Sequence, residues 1–67
     1  MEISARNQLR GTVKKVVRGV VMGEVVVDIG GQEVAAEITL ASIDRLGLKL
    51  GDPVFVIIKA TDAMIGK

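Results

Sequence analysis

Near the start of the chain, Ser4, Arg6 and Asn7 set a hydroxyl, a guanidinium and a side-chain amide close together. Near the other end, Lys59 follows the apolar run Val54-Phe55-Val56-Ile57-Ile58, and between them Thr39 and Ser42 flank the start of a short helical pattern. These residue types suit an oxyanion. Each oxygen of a small dianion stripped of water must receive replacement hydrogen bonds, and its charge must be offset by nearby cations. Arg6 offers a fork of donors, Ser4 a hydroxyl, and irregular backbone around Ala5 and Arg6 offers free N–H groups of the kind that form anion nests. Lys59 is the second candidate charge. Thr39 and Ser42 stand at a helix mouth, where unpaired N–H groups favour an anion. Each group also has a plainer role: Thr39 as a helix cap, Ser42 as a polar first-turn residue, Arg6 as a solvated charge, Lys59 as a snorkelling side chain, Asn7 as the start of a strand. Spacing alone leaves both sets of roles open.

Other chemistries are poorly supplied. The chain has no histidine and no cysteine. A serine or threonine nucleophile therefore lacks an imidazole base, with Lys59 the one remaining base to consider, and no carboxylate pair is placed in a recognisable cleft. Neither the phosphate-loop nor the dinucleotide glycine spacing occurs, and zinc or calcium would need ligands that are absent or scattered. No enzyme, and no metal bound directly by side chains, is expected. Single-stranded nucleic acid is the alternative reading, because Arg6, Arg10, Lys14, Lys15 and Arg18 all precede the first carboxylate after Glu2. Such binders stack bases on aromatic rings at about 1–3 kcal/mol each. Phe55 is the sole aromatic residue, its apolar neighbours predict a core position, and the net charge is only +1.

The elements that must position these groups follow from periodicity. Val13, Val16 and Val17 predict a strand from about Asn7 to Val17, with Gly11 as a bulge or sharp bend. After a turn at Arg18-Gly19, "VVMGEVVVDI" reads as a second strand, and Gly30-Gly31 signals a two-residue hairpin. The third strand sets Val34, Ala36 and Ile38 on one face and Glu33, Ala35, Glu37 and Thr39 on the other. Leu40, Ile43 and Leu46 then change to helical spacing, with Thr39 able to cap and Gly47 able to end the helix. "VFVIIKA" predicts a fourth, buried strand, and Met64-Ile65 a short fifth. The expectation is an all-β fold with one short helix, a five-stranded OB-type Greek-key barrel forming a single domain over residues 1–67.

Size adds a constraint. A chain of 67 residues that is 49% apolar, with no cysteine or histidine for a staple, carries more oily surface than so small a monomer hides, which predicts an obligate oligomer. The longest apolar runs are too short to span a bilayer and the start lacks a leader pattern, so the chain reads as cytoplasmic.

Three stretches, "ISARNQLRGTV", "ITLASIDRLGLKLGD" and "VIIKATDAMIG", resemble the signature segments of the molbindin family, the small molybdenum-pterin-binding (Mop) proteins, and the similarity spans essentially the whole chain. The resemblance implies an OB-type barrel that assembles as a hexamer, a trimer of dimers. It also implies binding of molybdate or tungstate in the cytoplasm, for molybdenum storage, buffering and homeostasis, at sites between subunits. By motif, Ser4, Ala5, Arg6 and Asn7 correspond to the first ligand segment and Lys59 with Ala60 to the second, while Thr39 and Ser42 correspond to donors from the neighbouring chain. Some relatives carry a hydroxyl where this chain has Ala60, so that position offers only its backbone N–H.

Overall fold

Runs of β-branched residues separated by glycine turns fold into antiparallel strands. In the computed structural model, which describes all residues 1–67, these are β1 (Asn7–Arg18), β2 (Met22–Asp28), β3 (Glu33–Thr39) and β4 (Pro53–Ile58), with helix α1 (Leu40–Leu46) between β3 and β4. The sheet order is β3-β2-β1-β4, the Greek-key order in which the last strand returns to lie beside the first. β1 changes partners along its length. Residues Asn7 to Thr12 pair with β4, and Thr12 to Arg18 pair with β2.

Gly11 sits at this exchange. Its pairing with Val54 is in regular register, and the extra residue lies instead between Val13 and Lys15, which corrects the first of the two alternatives expected at Gly11, a bulge or a sharp bend. Glycine is needed there for space, since a Cβ would lie 2.5 Å from Val27 Cγ1 and 2.6 Å from the Asp28 carbonyl oxygen. The Gly30-Gly31 hairpin is present, with φ of 102° and 93°, values that favour glycine. Both of its N–H groups donate to the Asp28 carboxylate, at 2.9 and 3.0 Å, and these bonds hold that carboxyl below its ordinary pKa of 3.8.

The inward faces supply a core of Val13, Val25, Val27, Ile43 and Val56. Val34, Ala36 and Ile38 share the half-buried face of β3 as expected. α1 is too short to stand alone. It is held by burial of Ile43, by Thr39 at its start, and at its end by hydrogen bonds from Gly47 N–H to Asp44 and from Leu48 N–H to Ile43, both 3.1 Å.

Two further expectations fail. Four strands form, not five: after β4 the chain makes a single 3₁₀ turn (Ala60–Asp62), and Met64 and Ile65, 93% and 95% exposed, join no strand. The turn is closed by Asp62 N–H on the Lys59 carbonyl at 2.9 Å and interrupts the extended run, leaving a curled sheet whose end strands β3 and β4 do not pair, rather than a closed barrel. β4 is also one-sided. Val54, Val56 and Ile58 face the core, while Phe55 stays 47% exposed with the Arg10 guanidinium 5.5 Å from its ring centre. Phe55 is therefore not a core residue, because it stands on the outer face of the sheet, against which no helix or second sheet packs. No helix is long and apolar enough to cross a membrane.

Candidate oxyanion site

Antiparallel pairing of β1 with β4 sets Asn7 opposite Ile58. The stretch before Asn7 and the stretch after Ile58, from opposite ends of the chain, are thereby brought to the same end of the sheet. They enclose an open groove of about 540 Å³ whose lining includes Ser4, Ala5, Arg6, Lys59 and Ala60. Ile3, Ile57 and Ile58 supply its apolar wall, and Thr61 and Asp62 complete it. Asn7 does not line the groove; it starts β1 and pairs with Ile58.

The groove is electropositive. The ion pairs of the chain, Lys14–Glu33 and Arg18–Asp44, lie elsewhere, so Arg6 and Lys59 have no carboxylate within 4.0 Å. Asp62 brings the one carboxylate of the lining. The donor set is a guanidinium, an ammonium, two hydroxyls and backbone N–H groups, which suits an anion; no three His, Cys, Asp or Glu side chains gather as a cation site.

Thr39 and Ser42 lie outside this groove. Thr39 caps α1, its Oγ1 accepting from Ser42 N–H at 3.1 Å and donating to Ser42 Oγ at 2.9 Å. The arrangement commits the Thr39 proton and leaves the Ser42 hydroxyl proton free to donate outward. The helix carrying this mouth is clamped by a two-pronged contact from Arg18 to Asp44, at 2.9 and 3.2 Å. Each partner favours the charged form of the other, Asp44 falling below its ordinary 3.8 and Arg18 rising. The structure thus joins Ser4, Ala5, Arg6, Lys59 and Ala60 on one chain and leaves Thr39 and Ser42 as a separate, self-bonded mouth.

Three contributors escaped the sequence reading. Thr61 adds a hydroxyl beside Ala60, the position that has none, and was visible only as part of the "KAT" stretch. Asp62 enters because the 3₁₀ turn folds back on Lys59, which no local pattern announces. Gln8, an exposed residue of β1, donates from Nε2 to the Ala5 carbonyl at 2.7 Å, and nothing in its spacing marks it.

The fold has close counterparts. The family model described as the TOBE domain matches residues 3–65. A curated relative, molybdenum-pterin-binding protein 3 of Clostridium pasteurianum, is 52% identical over 66 residues, covering 97% of each chain. Among solved structures, a molybdate-binding protein from Sporomusa ovata superposes with a TM-score of 0.95 at 45% identity and full coverage of both chains. The cytoplasmic molybdate-binding protein ModG, solved with molybdate bound, superposes with a TM-score of 0.87 at 38% identity, covering 92% of this chain and 45% of that one. These relatives are binding proteins rather than enzymes. The chain belongs to the molybdenum-pterin-binding (Mop, molbindin) family and is built on a TOBE domain.

Proposed function

We propose that this chain is a cytoplasmic, single-domain carrier of molybdate or tungstate that stores and buffers the oxyanion by reversible binding at interfaces of a homohexamer, a trimer of dimers. One observation carries the reading: Ser4, Ala5, Arg6, Lys59 and Ala60 meet in a single groove whose two cations have no carboxylate partner. Arg6 and Lys59 would offset the dianion's charge, Ser4 and the N–H groups of Ala5, Arg6 and Ala60 would orient its oxygens, and Asn7 would anchor the segment to β4. Thr39 and Ser42 of a neighbouring chain would supply the opposite wall. An open groove of about 540 Å³ is far larger than one tetrahedral oxyanion, so a second wall is required to strip the ligand of water. The names of the relatives and neighbours as molybdenum-pterin-binding and molybdate-binding proteins support the choice of ligand.

Association is supported by the distribution of apolar surface. A five-residue core is small for an independent fold, while Phe55, Ile57, Leu50, Val20, Met64 and Ile65 remain exposed. Ligand shared between chains would stabilise the assembly, by about 2.7 kcal/mol per site at 100-fold excess over Kd. Charge alone does not separate molybdate from sulfate; the longer metal–oxygen bonds make pocket size the discriminator.

Equilibrium dialysis of the purified protein against molybdate, tungstate, sulfate and phosphate tests this reading. Selective retention of the first two is expected, and equal or absent retention of all four contradicts it. The nucleic-acid alternative gains an exposed ring in Phe55, but a single ring, with the Arg10 guanidinium 5.5 Å from its centre, provides at most one stacking platform. A mobility-shift assay with single-stranded oligonucleotides at moderate salt is expected to show no complex; a persistent one would favour that alternative.

A further inference from the structure

Residues Met1 to Arg6 belong to no helix or strand, and no turn, loop or cap hydrogen bond of the backbone reaches them. A single hydrogen bond ties this stretch to the body of the fold: Gln8 Nε2 to the Ala5 carbonyl oxygen, at 2.7 Å. The facing wall of the groove is built differently. Lys59 follows directly on the paired end of β4, and its carbonyl accepts from Asp62 N–H. Arg6 and Lys59 each adjoin the terminal Asn7–Ile58 pair of the sheet; beyond them one wall is closed by a backbone hydrogen bond and the other, at Ala5, is held by one side chain.

That bond has a directional consequence. The peptide unit between Ala5 and Arg6 is planar and trans, so its C=O and N–H point in opposite directions. Drawing the Ala5 carbonyl toward Gln8 sends the Arg6 N–H away from Gln8. Gln8 lies outside the groove lining, whereas Ala5 and Arg6 are part of it. Gln8 in turn is fixed by the β1–β4 ladder, opposite Ile57, so the sheet dictates the peptide's orientation through this one amide. Without it, the segment would have to be ordered when ligand binds, an entropic cost that a prearranged segment avoids.

We propose that Gln8 is a positioning residue of the oxyanion site: it does not touch the ligand but orders the Ser4–Arg6 segment by fixing the orientation of the Ala5–Arg6 peptide that lines the groove. This rests on the oxyanion-binding reading above. Gln8→Met keeps length and strand pairing and removes the donor, and Gln8→Lys restores an N–H donor of similar reach. Molybdate titration calorimetry on the full-length assembled protein is expected to give a Kd about three- to tenfold weaker for Gln8→Met, the scale of one lost hydrogen bond. Its thermal midpoint and oligomeric state without ligand should match wild type.

Backbone ¹⁵N relaxation on the ligand-free protein supplies the readout that a merely structural role would not move. Ala5 and Arg6 should lose order in Gln8→Met and regain it in Gln8→Lys. Wild-type affinity in Gln8→Met, or weakened affinity with Ala5 and Arg6 as ordered as in wild type, would overturn the proposal alone. Failure of the wild-type protein to bind molybdate would overturn the underlying reading and this inference with it.

Discussion

The groove at the end of β1 and β4 and the mouth of α1 hold similar donors in opposite states. At the mouth, Thr39 and Ser42 satisfy one another and the first turn of the helix. In the groove, Arg6 and Lys59 face solvent with no anionic partner within the chain. A group whose hydrogen bonds close internally contributes first to the fold, and what it offers a ligand is what remains, here the Ser42 hydroxyl proton. A cation left unpaired on an apolar-backed groove adds nothing to the fold and is wholly available. The groove should therefore carry affinity, and the mouth should carry stability with a smaller share of binding.

The strongest way to break that division is to remove the groove's charges. Arg6→Ala and Lys59→Ala should each weaken molybdate binding about 10- to 100-fold, the scale of a lost hydrogen bond to a charged group, while leaving the ligand-free thermal midpoint unchanged. Calorimetric titration and melting of the same samples check both halves. Unchanged affinity in both variants would remove the groove from the site.

At the mouth the cap residue should show the reverse balance, and its partner a smaller loss of binding than the groove cations. Thr39→Ala deletes the cap and should lower unfolding free energy by about 1 kcal/mol, measured by urea denaturation, with a modest loss of affinity. Ser42→Ala should keep nearly all stability and lose several-fold in binding, about the value of one neutral hydrogen bond. If Thr39→Ala proves neutral for stability and Ser42→Ala neutral for binding, the division between the two regions fails.

Acid sharpens the contrast further. Asp44, held below its ordinary 3.8 by Arg18, contributes stability that is fully present above the unfolded value and is lost as pH falls through the lower folded value. The midpoint gap between wild type and Asp44→Asn should be largest near neutrality and close toward pH 3. A gap independent of pH would show that the Arg18–Asp44 contact does not clamp the helix. The smallest expected effect is at Asp62, the carboxylate of the groove: Asp62→Asn should tighten molybdate binding about twofold at low salt and progressively less as salt screens it, by titration at two ionic strengths.

What was legible in the sequence was local. The Gly30-Gly31 turn, the alternation of β3, and the Thr39 cap with its Gly47 terminus each depend on a few neighbouring residues whose backbone preferences agree. The approach of Ser4–Arg6 to Lys59–Ala60 depends on β4 returning beside β1; the order of elements implied that return, and the resemblance alone assigned the two segments to one ligand site. The errors lie where tertiary placement decides. Gly11 is a glycine because β2 comes too close for a Cβ, not because the strand bulges there. Phe55 has apolar neighbours on both sides, yet a sheet packed on one side buries one face only. Met64-Ile65 has strand-forming residues but no strand beside it, and Gln8 looks like any exposed polar residue of a strand until the carbonyl it holds is seen.

The central claim is that one chain's groove and another chain's helix mouth complete a single site. Complementation tests it most directly: chains carrying Lys59→Ala are co-expressed with chains carrying Ser42→Asp, whose carboxylate at the mouth repels a dianion, and molybdate binding to the mixed assemblies is compared with each variant alone. Shared sites predict that a fraction of pockets regains wild-type affinity, since a Ser42→Asp chain retains its groove and a Lys59→Ala chain retains its mouth. Mixed assemblies that bind no better than either parent would contradict the account.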